Sequence, residues 1–243
     1  MSLRRIYSVS PLRTGTATTL DGDAANHILR VLRLRVGDEL VVFDGSGRDY
    51  AAQVTTLRKD AVTVAVGAGH DVAAESPLRV TLFQGVCRGP RMDTVIQKAT
   101  ELGVARIEPV LMERSVVRLG EENADRKRGH WQRVAIAAAE QCGRSEVPAV
   151  GEPRSFDAAI EDAGAHTTRW LLDPGGESLR AAAAAASPLA LLIGPEGGLT
   201  AVEREIAATV GFRALKLGPR ILRTETAPLA ALAVLQFIAG DLG

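Results

Sequence analysis

Residues 215–240, LKLGPRILRTETAPLAALAVLQFIAG, read as a strand end, a tight glycine-proline turn, a polar loop and an apolar helix. The loop Gly218-Pro219-Arg220-Ile221-Leu222-Arg223-Thr224-Glu225-Thr226 packs two arginines, two threonines and a glutamate into a few positions. A rigid scaffold that holds so much polar chemistry on one loop points to a binding site. Thr226 is placed to cap the helix, with Pro228 in its first turn. Leu229, Leu232, Ala233, Gln236 and Phe237 are spaced for one helix face. Upstream, Ile193-Gly194-Pro195-Glu196-Gly197-Gly198 follows another apolar run. Thr200-x-x-Glu203 then forms a capping box that starts a helix directly after the glycine loop.

Outward from these loops, the chain from residue 78 onward alternates strands and helices. Strands are expected at 79–84, 105–111, 168–172, 189–193 and 214–217. Met92, Val95, Ile96, Ala99 and Leu102 give one helical stripe, and Trp131, Val134, Ala135, Ala138 and Cys142 another. Such alternation predicts an α/β domain with a mainly parallel sheet. Residues 1–72 differ, with short alternating runs at 39–43, 49–57 and 61–66. Asp44-Gly45-Ser46-Gly47 is a hairpin signal between the first two, and a helical patch covers 24–32. This part reads as a small β-barrel-like domain, with 67–77 as a linker and 73–243 as the second domain.

Of the 243 residues, 46% are hydrophobic and only 4% aromatic, so the core is aliphatic. Lysine and arginine balance aspartate and glutamate at 29 each, which argues against a polyanion-coating protein but allows a local basic face. Cys87 and Cys142 are far apart and the histidines scattered, so no metal site is expected. Reduced thiols, the absence of a signal-type apolar segment near the start and the lack of a run of about 18 apolar residues lead us to expect a cytoplasmic protein.

In open α/β sheets, ligands bind beyond the carboxyl ends of the strands, where both loops fall. Gly194, Gly197 and Gly198 would let backbone groups approach a ligand closely. Taken alone, GPEGG is also compatible with a simple turn and helix cap. Neither a G-x-G-x-x-G fingerprint nor a P-loop is present, which leaves an adenosine-type ligand held by backbone groups. Gly45-Ser46-Gly47 is a hairpin turn and not a hydrolase elbow.

The runs IGPEGG and LGPRILRTETAPLAAL, together with Lys98-Ala99-Thr100-Glu101-Leu102-Gly103-Val104, closely resemble the RsmE family. Further matches are Arg114-Ser115-Val116, the run Ala139-Glu140-Gln141-Cys142-Gly143-Arg144 with Pro148, and His27-Ile28-Leu29-Arg30-Val31-Leu32-Arg33 with Gly37-Asp38. The resemblance covers nearly the whole chain. Members are SPOUT-class enzymes that use S-adenosylmethionine to methylate N3 of a uridine in 16S ribosomal RNA of the small subunit. It implies a PUA-like RNA-binding domain, a C-terminal α/β domain with a trefoil knot, and a homodimer.

By this resemblance, Leu172, Ile193, Gly194, Pro195, Glu196, Gly197, Leu217, Gly218, Ile221, Leu222, Arg223, Thr224 and Ala227 should hold the cofactor. Uridine N3 must lose a proton to react, and a positive group near O2 or O4 would stabilise the anion. Arg223 is the expected catalytic group. Glu196 or Glu225 could take the proton or simply pair with an arginine. Arg30, Arg33, Arg88, Arg91, Arg114, Arg118, Gln141 and Arg144 are the expected RNA contacts, with Arg35 and the 126–128 basic run as further charge. His27 is read as structural and Trp131 as packing. Rival readings are a ribose 2′-O-methyltransferase of the same class, a non-catalytic RNA-binding factor and a small-molecule α/β enzyme.

Overall fold

A computed structural model describes residues 4–116, 121–179 and 186–243. The chain forms two compact units, one of residues 1–75 and 139–147, the other of residues 76–138 and 148–243.

In the first unit, β1 (Arg5–Tyr7), β2 (Ala17–Asp21), β3 (Glu39–Phe43), β4 (Arg48–Leu57) and β5 (Ala61–Asp71) form one sheet in the order β1-β3-β4-β5-β2. Strands β3 and β4 join through the expected hairpin, in which the Asp44 carboxylate accepts from the Ser46 backbone N–H and hydroxyl. One sheet face supplies Val42, Val54, Val62 and Val64, which pack with Ile6 and with Ile28 from the short helical segment. That segment is α1 (Gly22–Asn26) followed by a π-helical turn (His27–Leu32), closed by Arg33 in the left-handed region at φ 53°.

Two expectations change here. The glycine-rich stretch after Val66 is not linker as far as Asp71, because β5 continues through it and pairs Gly69 with Tyr50. The Tyr50 ring lies where a Gly69 side chain would stand, 2.6 Å from a built Cβ, so the missing side chain admits the ring. Residues 139–147 also join this unit. Buried Arg5 pairs with Asp49 and donates to the Arg144 carbonyl (3.0 Å) and Ser145 Oγ (3.2 Å), while Ser145 Oγ donates to Asp49 (2.6 Å).

In the second unit, β6 (Val80–Gly85), β7 (Arg106–Leu111), β8 (Ala149–Val150), β10 (Thr168–Ser178), β11 (Leu189–Ile193) and β12 (Arg213–Lys216) form a parallel sheet in the order β12-β10-β11-β6-β7-β8. A further short strand, β9 (Arg154–Ser155), also pairs with β7. Central β6 and β11 are buried at every position, as a parallel sheet covered on both faces requires. Helix α2 (Gly89–Glu101) buries Met92, Val95, Ile96 and Ala99 of the expected stripe. Long helix α3 (Glu121–Cys142) buries Trp131, Ala135 and Ala138, while Cys142 is exposed. Helix α4 (Phe156–Ala163) contributes Phe156, Ala159 and Ile160 to the core, and α5 (Ala201–Thr209) starts at the expected Thr200–Glu203 capping box. Leu192 is fully buried between these layers. Leu192→Ala is expected to cost about 2–5 kcal/mol, read as a lower denaturant midpoint, because the packed sheet cannot collapse around the lost atoms.

The last helix, α6 (Thr226–Ala239), departs from expectation in two ways. Thr226 is its first helical residue, and Glu225 takes the cap position without a side-chain hydrogen bond. The buried face is Pro228, Ala231, Leu232, Leu235 and Gln236, leaving Phe237 67% exposed. Gln236 accepts from Ser76 Oγ (2.5 Å) and donates to the Gly103 carbonyl (3.2 Å), which fixes the helix's rotation. Although β12 is the edge strand, α6 packs on α2 and β11. The chain after β12 therefore returns across the carboxyl ends of the strands.

Candidate active site

Strands β10, β11 and β12 end side by side, with Leu172 opposite Ile193 and Leu215. Three loops rise from these ends. The first is a bulge within β10, where Leu172 and Glu177 both pair with Leu215 and residues 173–176 loop out. The second is 194–200, before α5. The third is 217–225, on the return to α6. Together they enclose a cavity of about 680 Å³, within the usual range for a small-molecule site.

Every residue expected to hold the cofactor lines this cavity, from Leu172 and Ile193–Gly197 to Leu217, Gly218, Ile221–Thr224 and Ala227. Leu172, Ile193 and Leu215 make an apolar floor. At Gly197, a built Cβ would stand 2.8 Å from Arg114 Cβ, so only glycine lets these backbones meet. The Arg114 guanidinium donates to the Gly197 carbonyl at 3.2 Å. Gly218 turns the third loop at φ 66°, a conformation disfavoured for other residues. Sequence reasoning missed Asp173, Arg204 and Lys216, which also line the cavity. Asp173 was hidden because the strand was expected to stop at residue 172. It caps its own bulge by accepting from Gly175 N (2.7 Å) and faces Arg204 at 3.5 Å.

One wall is acidic. Arg91 reaches from α2 to Glu196 (2.9 Å) and lies 3.7 Å from Glu225, so one guanidinium serves two carboxylates. The Arg88 backbone N–H, at the α2 cap, donates to the same Glu196 oxygen (3.1 Å). Burial opposes the charge on Glu196, but the backbone N–H groups of Arg88 and Glu196 itself, with Arg91, outweigh it. The carboxyl is held below its ordinary value of 4.5. Burial, reinforced by Glu196 and Glu225, pushes the neighbouring Cys87 thiol up to about 12, so it stays protonated. The rim is basic, with Lys216, Arg220 and Arg223 all exposed. Arg223 has 77% of its side chain in solvent and stands 4.0 Å from Glu225.

The residues expected to meet RNA divide. Arg30, Arg33, Arg88 and Gln141 are exposed, and Arg114 is exposed at the cavity edge. Arg91 is instead occupied by the two cavity carboxylates. Arg144 is corrected: it is 4% exposed and clamped onto Glu75, with contacts of 3.0 and 2.5 Å. Arg118 lies outside the described residues. Among the described residues no cluster of metal-ligating side chains occurs, and no helix is long and apolar enough to cross a membrane.

The RNA methyltransferase domain family matches residues 74–236, and the RNA methyltransferase PUA domain family matches residues 20–67. The chain is 33% identical to ribosomal RNA small subunit methyltransferase E of Bacillus subtilis, over 90% of this chain and 89% of that one. It is similar to a putative methyltransferase of Legionella pneumophila solved with bound SAM, at TM-score 0.94 and 36% identity, covering all of both chains. A ribosomal RNA small subunit methyltransferase E from Neisseria gonorrhoeae, solved with S-adenosyl methionine, gives TM-score 0.91 and 36% identity, covering 99% of this chain and 100% of that one. The architecture is thus a PUA-type β domain and an α/β domain of the RNA methyltransferase type.

Proposed function

The chain belongs to the ribosomal RNA small subunit methyltransferase E family, and from that premise we propose that it methylates N3 of a uridine in 16S RNA of the small subunit, using S-adenosylmethionine. The observation that carries the proposal is the cavity at the carboxyl ends of β10, β11 and β12, walled by the glycine loop and the return loop. Its residues fit the cofactor. The apolar floor suits an adenine ring, the loops offer backbone groups to its edge, and the buried Oε2 atoms of Glu196 and Glu225 have no hydrogen-bond partner among the described residues, which leaves acceptors for a ligand. When bound, S-adenosylmethionine supplies an electrophilic methyl group on a sulfonium.

The protein's share of the reaction is positioning and electrostatics. Arg223, open to solvent at the rim, is placed to meet the uridine O2 or O4 as negative charge develops during loss of the N3 proton. N3 lies on the Watson–Crick edge, so the base enters unpaired or flipped. Lys216 and Arg220 beside it favour the phosphate backbone. Residues 1–72 act as the RNA-binding domain, with Arg30 and Arg33 on its exposed π-helical turn, and residues 73–243 as the methyltransferase domain. Arg88, Arg114 and Gln141 are further RNA contacts. The return of the chain past Gly194 supports the knotted topology of the family. Val234, Phe237 and Ile238 leave an apolar face on α6, which we assign to a homodimer contact. We assign the protein to the cytoplasm, where its RNA substrate resides.

Glu196 acts as a brace in this scheme, because a carboxyl held ionised is a weak base. Glu196→Gln is expected to weaken cofactor binding by roughly 3- to 10-fold, the effect of losing one or two hydrogen bonds, while the pH profile of kcat stays unchanged. An acidic limb of that profile, with the rate falling as pH drops, that disappears in the variant would instead make Glu196 the proton acceptor. The folded-state pKa is depressed, so the brace is fully present above 4.5 and is lost as pH falls through the lower folded value. Cofactor affinity should therefore show no Glu196 titration above that range. The function itself is tested with labelled S-adenosylmethionine and separated ribosomal subunits. Label in small-subunit RNA is expected, and label confined to large-subunit RNA would overturn the proposal.

A further inference from the structure

Gln84 is completely buried at the carboxyl end of β6 and does not line the cavity. A buried amide is costly unless its polar atoms are used, and in Gln84 the nitrogen is paired while Oε1 has no hydrogen-bond partner among the described residues. Its Nε2 donates to the Gly85 carbonyl at 3.0 Å and to Thr224 Oγ1 at 3.2 Å. The Gly85 carbonyl can only accept, so it is the amide nitrogen that faces this pair of oxygens. Thr224, itself 7% exposed, then has a defined polarity. Its oxygen accepts from Gln84, and its single proton goes to the Gly194 carbonyl at 2.8 Å.

The hydrogen bonds run one way, from β6, through the loop after β12, to the first residue of the loop after β11. They tie together the two loops that wall the cavity at the point where the returning chain passes the glycine loop. We propose that Gln84 is a positioning residue for the cofactor site, which through the Thr224 hydroxyl fixes the Gly194 carbonyl and holds the 194–198 and 217–225 loops in register. This inference rests on the reading that the cavity takes S-adenosylmethionine.

The polarity makes the proposal testable. Gln84→Glu keeps the shape but presents oxygens to both partners. Its carboxylate would draw the Thr224 proton away from Gly194 and repel the Gly85 carbonyl. Gln84→Met keeps the volume and deletes the donor, Thr224→Val deletes the hydroxyl, and Thr224→Ser retains it. The experiment is calorimetric titration of the full-length protein with S-adenosylmethionine, alongside the melting temperature of the unliganded variants.

We expect Gln84→Glu to weaken binding by roughly 10- to 100-fold, as one broken charge-sensitive relay implies. Gln84→Met and Thr224→Val should weaken it by similar factors. The double variant should be no worse than either alone, since both break one relay. Thr224→Ser keeps the hydroxyl and should recover most of the binding lost in Thr224→Val. Unchanged affinity in Gln84→Glu, or a lowered melting temperature with unchanged affinity, would overturn the positioning role. If Gln84→Glu does not fold, the Thr224 pair decides: equal affinity of the valine and serine variants would overturn it. Failure of the unaltered protein to bind S-adenosylmethionine would overturn the functional reading and this inference together, whereas normal binding with indifferent variants removes the inference alone.

Discussion

Arg223→Ala is expected to lower kcat by about 100- to 1000-fold, the usual consequence of removing one donor aimed at developing negative charge. Cofactor affinity should change little. The backbone role of residue 223 survives the substitution, since its carbonyl accepts from the amides of Thr226 and Ala227 (both 2.9 Å) and so starts α6. The side chain is largely in solvent, so its loss leaves no buried partner unsatisfied. Arg223→Lys should recover part of the rate, because an ammonium keeps the charge without the planar fork. Single-turnover kinetics at saturating cofactor and RNA separates the effects. A kcat within a fewfold of the parent with a raised KM would make Arg223 an RNA anchor and not a catalytic group.

The second large effect is expected at a residue far less conspicuous than an arginine. Gly85 ends β6 directly beneath the glycine loop. A Cβ built there would stand 2.5 Å from Pro195 N, 2.7 Å from Pro195 Cδ and 2.8 Å from the Gly194 carbonyl carbon. Two of these are backbone atoms, so the loop itself must move to make room. Overpacking of this kind costs about 1–3 kcal/mol, and here the displaced atoms are the cavity wall. Gly85→Ala should weaken S-adenosylmethionine binding at least about 100-fold, because positioned binding groups tolerate shifts of only about 1 Å. Gly89→Ala is the control, since a Cβ at Gly89 meets nothing within 4 Å. Equal cofactor affinity in the two variants would contradict the assignment of the 194–198 loop to the cofactor.

The parts of this structure legible in the sequence are those decided by local chemistry. The Asp44–Gly47 hairpin, the Thr200–Glu203 capping box and the apolar β11 run each carry their signal within a few residues. The two loops that wall the cavity were legible for the same reason, and the resemblance to a known family suggested the ligand proposed for them. What escaped depends on partners distant along the chain. Arg91 and Arg144 look like RNA contacts until Glu196, Glu225 and Glu75 are brought beside them. The extension of β5 over Gly67–Asp71 reads as linker until the Tyr50 ring fills the space above Gly69. On α6, apolar residues occupy nearly every face, so periodicity could not choose between Phe237 and Leu235. The choice is made by Gln236, buried between Ser76 and Gly103. Gln84 carries no sequence signal of its own, because its meaning lies in Thr224, 140 residues later.

The most direct test of the account is nucleoside analysis of RNA methylated by the purified protein. The substrates would be small ribosomal subunits lacking the modification, with labelled S-adenosylmethionine as donor. The account predicts 3-methyluridine, formed in small-subunit RNA and dependent on Arg223. A 2′-O-methylated nucleoside would contradict the proposed chemistry at the base. Absence of any labelled nucleoside, from protein that binds the cofactor, would contradict the assignment of this cavity to catalysis.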